Sequence, residues 1–372
     1  MFCCRTLLFL FLALFSALPH TRAAVIFEFD YSGGPDFLNP TAGLARRAAL
    51  EDAAATLGAV LAHDATIQLK VTSSNDAQGD LLASASSEVP EIDFDFFGFS
   101  PGIVQQKILE GIDANGAAAD GEVDVNFGQP WDLDDEVSPD LFDFKATMIH
   151  EILHAVGFSS SIYEDGTDAF DTPPGEPGVW SPFDQFIAGP TGVSLIDDNY
   201  ALNGPGWASA STGGASPRAG LTFNGPNAMA ANDGQPVGLY SPRRWEDGSS
   251  GSHLDDENPA LAGMVMLAAT DPGPYTRELS AIEKAILEDL GYTLAATATP
   301  ANATLTIRHN GSAITLTIEG SRGTYAIARS TELDNWAPLT TMTISQDGGN
   351  AIYDVPFNTT TNRVGYFSAS PQ

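Results

Sequence analysis

Apolar residues recur along the chain with two different periods, and each period predicts one kind of element. Alternation of apolar and polar residues is typical of half-buried strands, and a repeat every three or four residues is typical of amphipathic helices. The first pattern predicts strands at 25–31, 66–72 and 121–127. The second predicts helices at 41–61, 101–111, 142–158 and 280–290. Together these elements indicate one large domain over residues 24–294.

A long stretch at about 160–250 shows neither period. It is rich in Gly, Pro, Ser and Asn, with scattered aromatic residues. We expect loops and short strands in this insert. A loop region of this length within a compact domain is usually functional or forms a wall of a binding cleft.

The pattern changes after residues 295–303, whose composition is typical of a linker. Residues 304–372 are predicted to form a small all-β module. Its strands are expected at 305–308, 313–318, 324–329, 340–344 and 364–368. The segment 325–336 resembles part of a short β-domain found at the ends of secreted bacterial proteins. We expect a stabilising cap, and the alternatives are binding of glycans or a cell surface and a role in secretion.

The first residues have the features of a secretory signal peptide. Arg5 supplies one positive charge, residues 6–18 are almost wholly apolar, and small residues follow at Ala23 and Ala24. We expect cleavage after one of these two alanines, and a secreted protein that is extracellular, periplasmic or on the cell surface. The apolar run is shorter than the roughly 20 residues that span a bilayer, so we expect no membrane span.

The charge of the chain limits which classes of partner it can bind, and its cysteine content limits how it can be stabilised. The formal net charge is −32 at pH 7, which disfavours binding to nucleic acid or anionic membranes. Cys3 and Cys4 are the two cysteines and lie in the signal peptide, so no disulfide stabilises the mature chain. Ca²⁺ bound in the acidic loops 113–124 or 132–140 would reduce charge repulsion. A solvated acidic surface is the alternative.

The predicted helix at 142–158 carries the candidate chemistry, because His150, Glu151 and His154 form the pattern H-E-x-x-H. Positions i and i+4 lie on one face of a helix, so both imidazoles can reach one Zn²⁺ ion. Glu151 then projects beside the metal as the candidate general base. The large apolar residues belong to the opposite face: Met148, Ile149, Ile152, Leu153 and Val156. The two histidines therefore face a cleft.

A catalytic zinc site needs a third protein ligand and an open position for water. His253, in a loop of small residues at 248–257, is our candidate by elimination among the six histidines of the chain. The other three are assigned to the signal peptide, to an exposed loop and to a hairpin turn of the module: His20, His63 and His309. Two carboxylates remain as rivals for the third ligand, Asp171 and Glu164.

These segments resemble the metzincin zinc peptidases, and the leishmanolysin-like branch among them. Gly157 follows the second histidine by three residues, as in metzincin zinc helices, and in this branch the third histidine lies beyond an inserted segment. The resemblance implies that Gly157 ends the helix and that Met266, or alternatively Met264, forms a methionine turn beneath the metal. It also implies an α+β, zincin-like fold with a mixed twisted sheet, an active-site helix and an irregular C-terminal subdomain, followed here by the all-β module.

By the same resemblance the chain is a secreted zinc endopeptidase with one catalytic Zn²⁺ ion and protein or peptide substrates. We expect a monomer. The predicted strand at 121–127 is placed, by analogy, as the sheet edge to which an extended peptide pairs. One alternative is a secreted zinc-containing binding or adhesion protein that cleaves nothing, and another is a structural β-protein with a chance motif. Glu151 favours the peptidase, because a binding module needs no base at that position.

Three features differ from related patterns. The contiguous version of the zinc motif would place its third histidine at position 160, where this chain has Ser160. Some metzincins have a tyrosine two residues after the methionine of the turn, and position 268 is Ala268. The mature chain also has no cysteine for a latent thiol–zinc contact. We therefore expect no latency of that kind.

Overall fold

The first unit, residues 1–295, contains the elements that the two hydrophobic periods predict and further short elements between them. The computed structural model describes residues 24–93, 95–214, 219–295, 303–309, 314–320, 323–330, 337–344, 349–355 and 366–371. The strands of this unit are β1 (Val25–Gly33), β2 (Ala65–Ser74), β3 (Ala83–Ser87), β4 (Gly98–Phe99), β5 (Gly121–Asn126), β6 (Trp131–Asp132), β7 (Phe142–Asp143), β8 (Val179–Trp180), β9 (Ile187–Ala188), β10 (Thr222–Phe223) and β11 (Val237–Gly238). The helices are α1 (Gly43–Gly58), α2 (Ile103–Glu110), α3 (Phe144–Ala155), α4 (Gly204–Ala210), α5 (Pro226–Ala231) and α6 (Ala281–Asp289). The predicted signal peptide (1–23) and most of the predicted linker lie outside the described residues.

Four strands form a mixed sheet in the order β1-β2-β5-β3. The first three are parallel, and β3 pairs antiparallel with β5 at one edge. Alternation within β2 buries Ile67, Leu69 and Val71, while Gln68 and Lys70 face solvent. The buried side chains join one hydrophobic core with those of α1, α2, α3 and α6. The predicted α+β class is therefore confirmed.

The sheet edge differs from the expectation. The strand predicted at 121–127 is β5, which lies between β2 and β3 and is therefore interior. The edge strand is β3, for which the sequence gives no signal, because its residues are Ala and Ser without a large apolar or β-branched side chain. It forms because its backbone pairs with β5 along its whole length. A peptide that adds to this edge must pair with β3.

Helix α3 begins and ends at recognisable signals. The Asp143 carboxylate accepts the backbone N–H of Ala146 at 3.0 Å, which satisfies a free donor of the first turn. At the other end Gly157 has a φ of +100°, a left-handed conformation that glycine adopts readily. As the resemblance implies, the helix stops just before this glycine. The four predicted helices are each shorter at either end by one to three residues.

The insert at about 160–250 packs on the same core as α3 rather than forming a separate one. Its buried aromatic residues include Trp180, Phe183, Trp207 and Phe223. The short strands agree with the expectation, but α4 and α5 contradict the prediction that the insert holds only loops and strands. These helices have 7 and 6 residues, with proline in the first turn, so they are too short to show a helical period.

The second unit, residues 296–372, is built from strands in its described part. These strands are β12 (Thr304–His309), β13 (Ile314–Gly320), β14 (Gly323–Ser330), β15 (Ala337–Ile344), β16 (Gly349–Val355) and β17 (Tyr366–Pro371). They form two antiparallel sheets in the orders β12-β13-β16 and β15-β14-β17. Strand β16 was not predicted. The turn that leads to Trp336, which carried part of the resemblance of this unit, lies outside the described residues.

Candidate metal centre

Three histidines converge at one face of α3. His150 and His154 lie one turn apart on the helix, and His253 reaches them from the loop after β11. The Nε2 atoms of His150 and His154 are 3.2 Å apart. The Nε2 atom of His253 lies 3.0 Å from that of His150 and 3.1 Å from that of His154. His253, which the sequence analysis selects by elimination, therefore lies beside His150 and His154, which the helix period identifies.

The second nitrogen of each ring determines where its proton lies. All three Nδ1 atoms contact backbone carbonyl oxygens, which can only accept a hydrogen bond, so each Nδ1 carries the proton and donates it. The acceptors for His150, His154 and His253 are the carbonyls of Val265, Phe158 and Ser249, at 2.8, 2.8 and 2.9 Å. Each Nε2 atom therefore presents a lone pair to the other two. Three facing lone pairs repel one another unless a cation lies between them.

The spacing of these nitrogens fits one small metal ion. Two nitrogens about 2.05 Å from the same ion at a tetrahedral angle lie about 3.3 Å apart, and the three observed separations are 3.0–3.2 Å. Neutral imidazole is a ligand for zinc, copper, nickel and iron rather than for calcium or magnesium. The three histidines can therefore hold a transition-metal ion.

The segment Met264–Leu267 connects the two parts of the centre. The Val265 carbonyl accepts from His150, and the Met266 carbonyl accepts the N–H of Leu254, next to His253, at 2.8 Å. The Met266 side chain is fully buried, whereas Met264 is half-buried. Of the two methionines named by the resemblance, Met266 is the one whose own backbone carbonyl bonds to the segment of the third histidine.

Glu151 lies in the same cavity as the histidines, a space of about 670 Å³. Its side chain is buried, and burial raises the pKa of its carboxyl from 4.5 to about 8. A hydrogen bond from the backbone of Ala85 in β3 lowers this pKa in part. The edge strand therefore contacts the candidate base directly, a relation that the sequence does not reveal.

A smaller cavity of about 220 Å³ lies on the other side of His154. Its walls are mostly apolar and include Val89, Phe170 and Trp180. Ala85 of β3 lines both cavities, as do His154 and Ser159. Strand β3 therefore runs past the histidines with the polar cavity near its start and the apolar cavity near its end.

The other candidate ligands lie apart from the centre. Neither Asp171 nor Glu164 belongs to the histidine group. His63 is not the exposed loop residue that we expected. It is half-buried, its Nε2 accepts the backbone N–H of Thr293 at 2.8 Å, and its ring packs edge-on against Tyr292. A histidine that accepts a backbone hydrogen bond after a helix has no distinct sequence signal.

Some carboxylates of the two acidic loops form ion pairs with cationic side chains. Asp113 and Asp120 pair with Lys107, and Asp135 pairs with Lys145 and Arg277. Among the described residues, these loops bring no three carboxylates close enough to hold one ion. Also within the described part of the chain, no helix is both long and apolar enough to cross a membrane.

Comparison with known proteins gives no relative. No family model matches the chain, and neither a curated protein nor a solved structure matches it.

Replacing His253 tests whether the centre needs all three imidazoles. We expect His253→Ala to abolish stoichiometric Zn²⁺ binding, because two ligands leave the ion without its third anchor. His63→Ala is the matched control, since it removes a histidine that bonds only to the fold. We expect it to retain zinc while lowering the melting temperature. Both are measured by metal analysis after gel filtration, and zinc loss in the control alone would contradict the assignment.

The pH dependence of the metal-free protein tests the lowered pKa values. Burial, followed by the neighbouring His150, lowers the pKa of His154 from 6.5 to about 3. Below pH 6.5 the unfolded chain therefore binds a proton that the folded chain does not, so stability falls as the pH falls. For this residue we expect the free energy of unfolding to drop by about 1.4 kcal/mol per pH unit between pH 6 and 4.

The control for this measurement is His154→Ala, unfolded with urea at each pH. The free energy of unfolding of this variant should fall less steeply with falling pH, by about 1.4 kcal/mol per pH unit. Glu151 acts in the opposite direction in both proteins, because its raised pKa lets the folded chain keep a proton that the unfolded chain releases above about pH 4.5. Equal slopes for the two proteins would contradict the buried, neutral state of His154.

Proposed function

We propose that the chain is a secreted zinc-dependent endopeptidase of the metzincin type, with the distant third ligand of the leishmanolysin-like branch. One observation carries the proposal. The Glu151 carboxyl lies in the same open cavity as three convergent Nε2 atoms, beside the free edge of a sheet. Zinc is the metal proposed because H-E-x-x-H with a third histidine and an open position is the ligand pattern of hydrolytic zinc sites. The N-terminal residues support secretion.

In the proposed reaction, the bound metal and Glu151 have different roles in peptide hydrolysis. When bound, Zn²⁺ supplies a Lewis acid for the scissile carbonyl and activates water at neutral pH. Glu151 accepts the proton of the attacking water and passes it to the leaving amine. Its raised pKa in the metal-free chain is compatible with this role, because positive charge nearby lowers the value towards neutrality. A carboxyl in that range can both take and give a proton.

Strand β3 is the proposed binding edge for an extended substrate. Its inner side pairs with β5, no other strand of the described chain pairs with its outer side, and its residues line both cavities. A peptide that adds to it gains main-chain hydrogen bonds irrespective of its sequence. Antiparallel addition is the more stable and more common pairing. It places the apolar cavity on the N-terminal side of the scissile bond.

The apolar cavity indicates the preferred side chain. Its volume of about 220 Å³ exceeds the roughly 150 Å³ of an apolar cavity that accommodates benzene. Val89 and Phe170 line it and are 66% and 55% exposed to solvent, so part of its apolar wall is open to a substrate side chain. We therefore propose that a large apolar or aromatic substrate side chain occupies this cavity.

Replacing the base distinguishes a peptidase from a zinc-containing binding protein. We expect Glu151→Gln to keep one zinc per chain but to cleave an unfolded protein substrate about 10²–10⁴-fold more slowly, because the amide cannot accept the proton. The wild type with equal zinc content is the reference. Equal cleavage by both proteins would contradict the role of Glu151. A wild type that holds zinc and cleaves nothing would favour the binding protein.

Filling the apolar cavity tests the substrate preference. Ala169 lines it and is exposed, so Ala169→Trp can occupy the space with little effect on the core. We expect cuts just after large apolar residues to decrease about tenfold relative to other cuts, as read from product masses. Ala117→Trp, an exposed replacement in a loop outside both cavities, is the control. An unchanged pattern of cuts in Ala169→Trp would contradict the assignment.

A further inference from the structure

One peptide group lies between a metal-centre histidine and a buried carboxylate. The carbonyl of Val265 accepts the hydrogen bond from Nδ1 of His150 at 2.8 Å. The N–H of the same peptide group belongs to Met266 and donates to Oε1 of Glu283 at 2.7 Å. His150 and Glu283 are therefore joined through a single planar peptide unit.

Glu283 has more contacts than capping its own helix requires. Its Oε2 accepts the N–H of Ser280 at 2.7 Å, and Ser280 Oγ accepts the N–H of Glu283 at 3.1 Å, which completes a capping box. That motif uses one carboxylate oxygen. The other oxygen reaches outside the helix to Met266. The side chain is 0% exposed, and no lysine or arginine of the described chain forms an ion pair with it.

A carboxylate in this position affects the hydrogen bond from Nδ1 of His150 and the electron density of its ring. Hydrogen bonds in series polarise one another, more strongly in a buried environment. A negative charge on the N–H side makes the Val265 carbonyl a better acceptor, which strengthens the bond from Nδ1 and increases electron density at Nε2. Carboxylates that contact metal-bound histidines directly have this effect on ligand basicity. Here the peptide group transmits it.

The third histidine provides an internal comparison. His253 donates to the carbonyl of Ser249, and the N–H of that peptide group, on Ser250, donates to the backbone carbonyl of Glu246 at 2.9 Å. A neutral carbonyl therefore occupies the position that a carboxylate occupies behind His150. The difference predicts that Glu283 acts on His150 and not on His253.

We propose that Glu283 is a positioning residue that raises the metal affinity of the centre by orienting and polarising the Val265–Met266 peptide group, and through it His150. The proposal rests on the metal centre of the proposed function but not on peptide hydrolysis. Its test therefore measures metal binding and not activity.

The test compares Glu283→Gln with Ser280→Ala. The first replacement removes the charge at constant size, and glutamine is accepted in capping boxes, so we expect the helix to form. The second removes the serine cap of α6 and leaves both carboxylate contacts in place. Zn²⁺ affinity is measured by competition with a chelating dye, together with thermal unfolding of the metal-free proteins.

We expect zinc binding to weaken about 10–100-fold in Glu283→Gln, the range found when partners of metal ligands are replaced. In Ser280→Ala we expect a change of less than about threefold, although both proteins lose thermal stability. Equal losses in the two variants, or an unchanged affinity in Glu283→Gln, would overturn the proposal. A wild type that binds no zinc would overturn it together with the metal centre. A wild type that binds zinc without cleaving peptides would contradict only the proposed function.

A second measurement already tests the proposal in the wild type. In the wild type, the Nδ1 proton of His150 should resonate downfield of the Nδ1 proton of His253 in ¹⁵N-resolved NMR, because its hydrogen bond is stronger. In Glu283→Gln the His150 proton should move upfield while that of His253 stays in place. Two wild-type protons at the same position would overturn the proposal, even if Glu283→Gln failed to fold.

Discussion

The structure depends on three imidazole nitrogens that are held with their lone pairs facing one another. Each ring is fixed by a hydrogen bond from Nδ1 to a backbone carbonyl, and the three carbonyls come from the end of α3, the loop of the third histidine and the segment of Met266. Because none of the facing nitrogens carries a proton, the arrangement is favourable only around a cation. The fold therefore brings distant segments into a geometry that a metal ion stabilises.

Two buried carboxylates hold the elements that carry this geometry. Asp143 caps α3 and is bound by the guanidinium of Arg277 at 2.9–3.2 Å, which ties the start of the helix to the chain that follows Met266. Glu283 holds the Met266 peptide from the side of α6. Helix α3 and the segment of Met266 are thus held by two carboxylates as well as by the histidines. This explains how loops rich in glycine and serine can present a histidine at a fixed position.

The sequence predicted those parts of the site that depend on local periodicity. The helix bearing His150 and His154 follows from its apolar stripe, and His253 follows from a short inventory of histidines. The edge strand β3 could not be predicted, because small Ala and Ser residues form a strand only when β5 offers a partner. The second contact of Glu283 was equally hidden, since a capping box accounts for that residue within its own helix. Strand β3 and the Glu283–Met266 contact both depend on contacts between segments that are distant in the sequence.

The most direct test of this account is a crystal structure of the zinc-loaded protein with anomalous scattering measured on both sides of the zinc absorption edge. The account predicts one ion at about 2.0–2.1 Å from the Nε2 atoms of His150, His154 and His253, with the Glu151 carboxyl beside its open face. An ion held without His253, or bound outside this cavity, would contradict it.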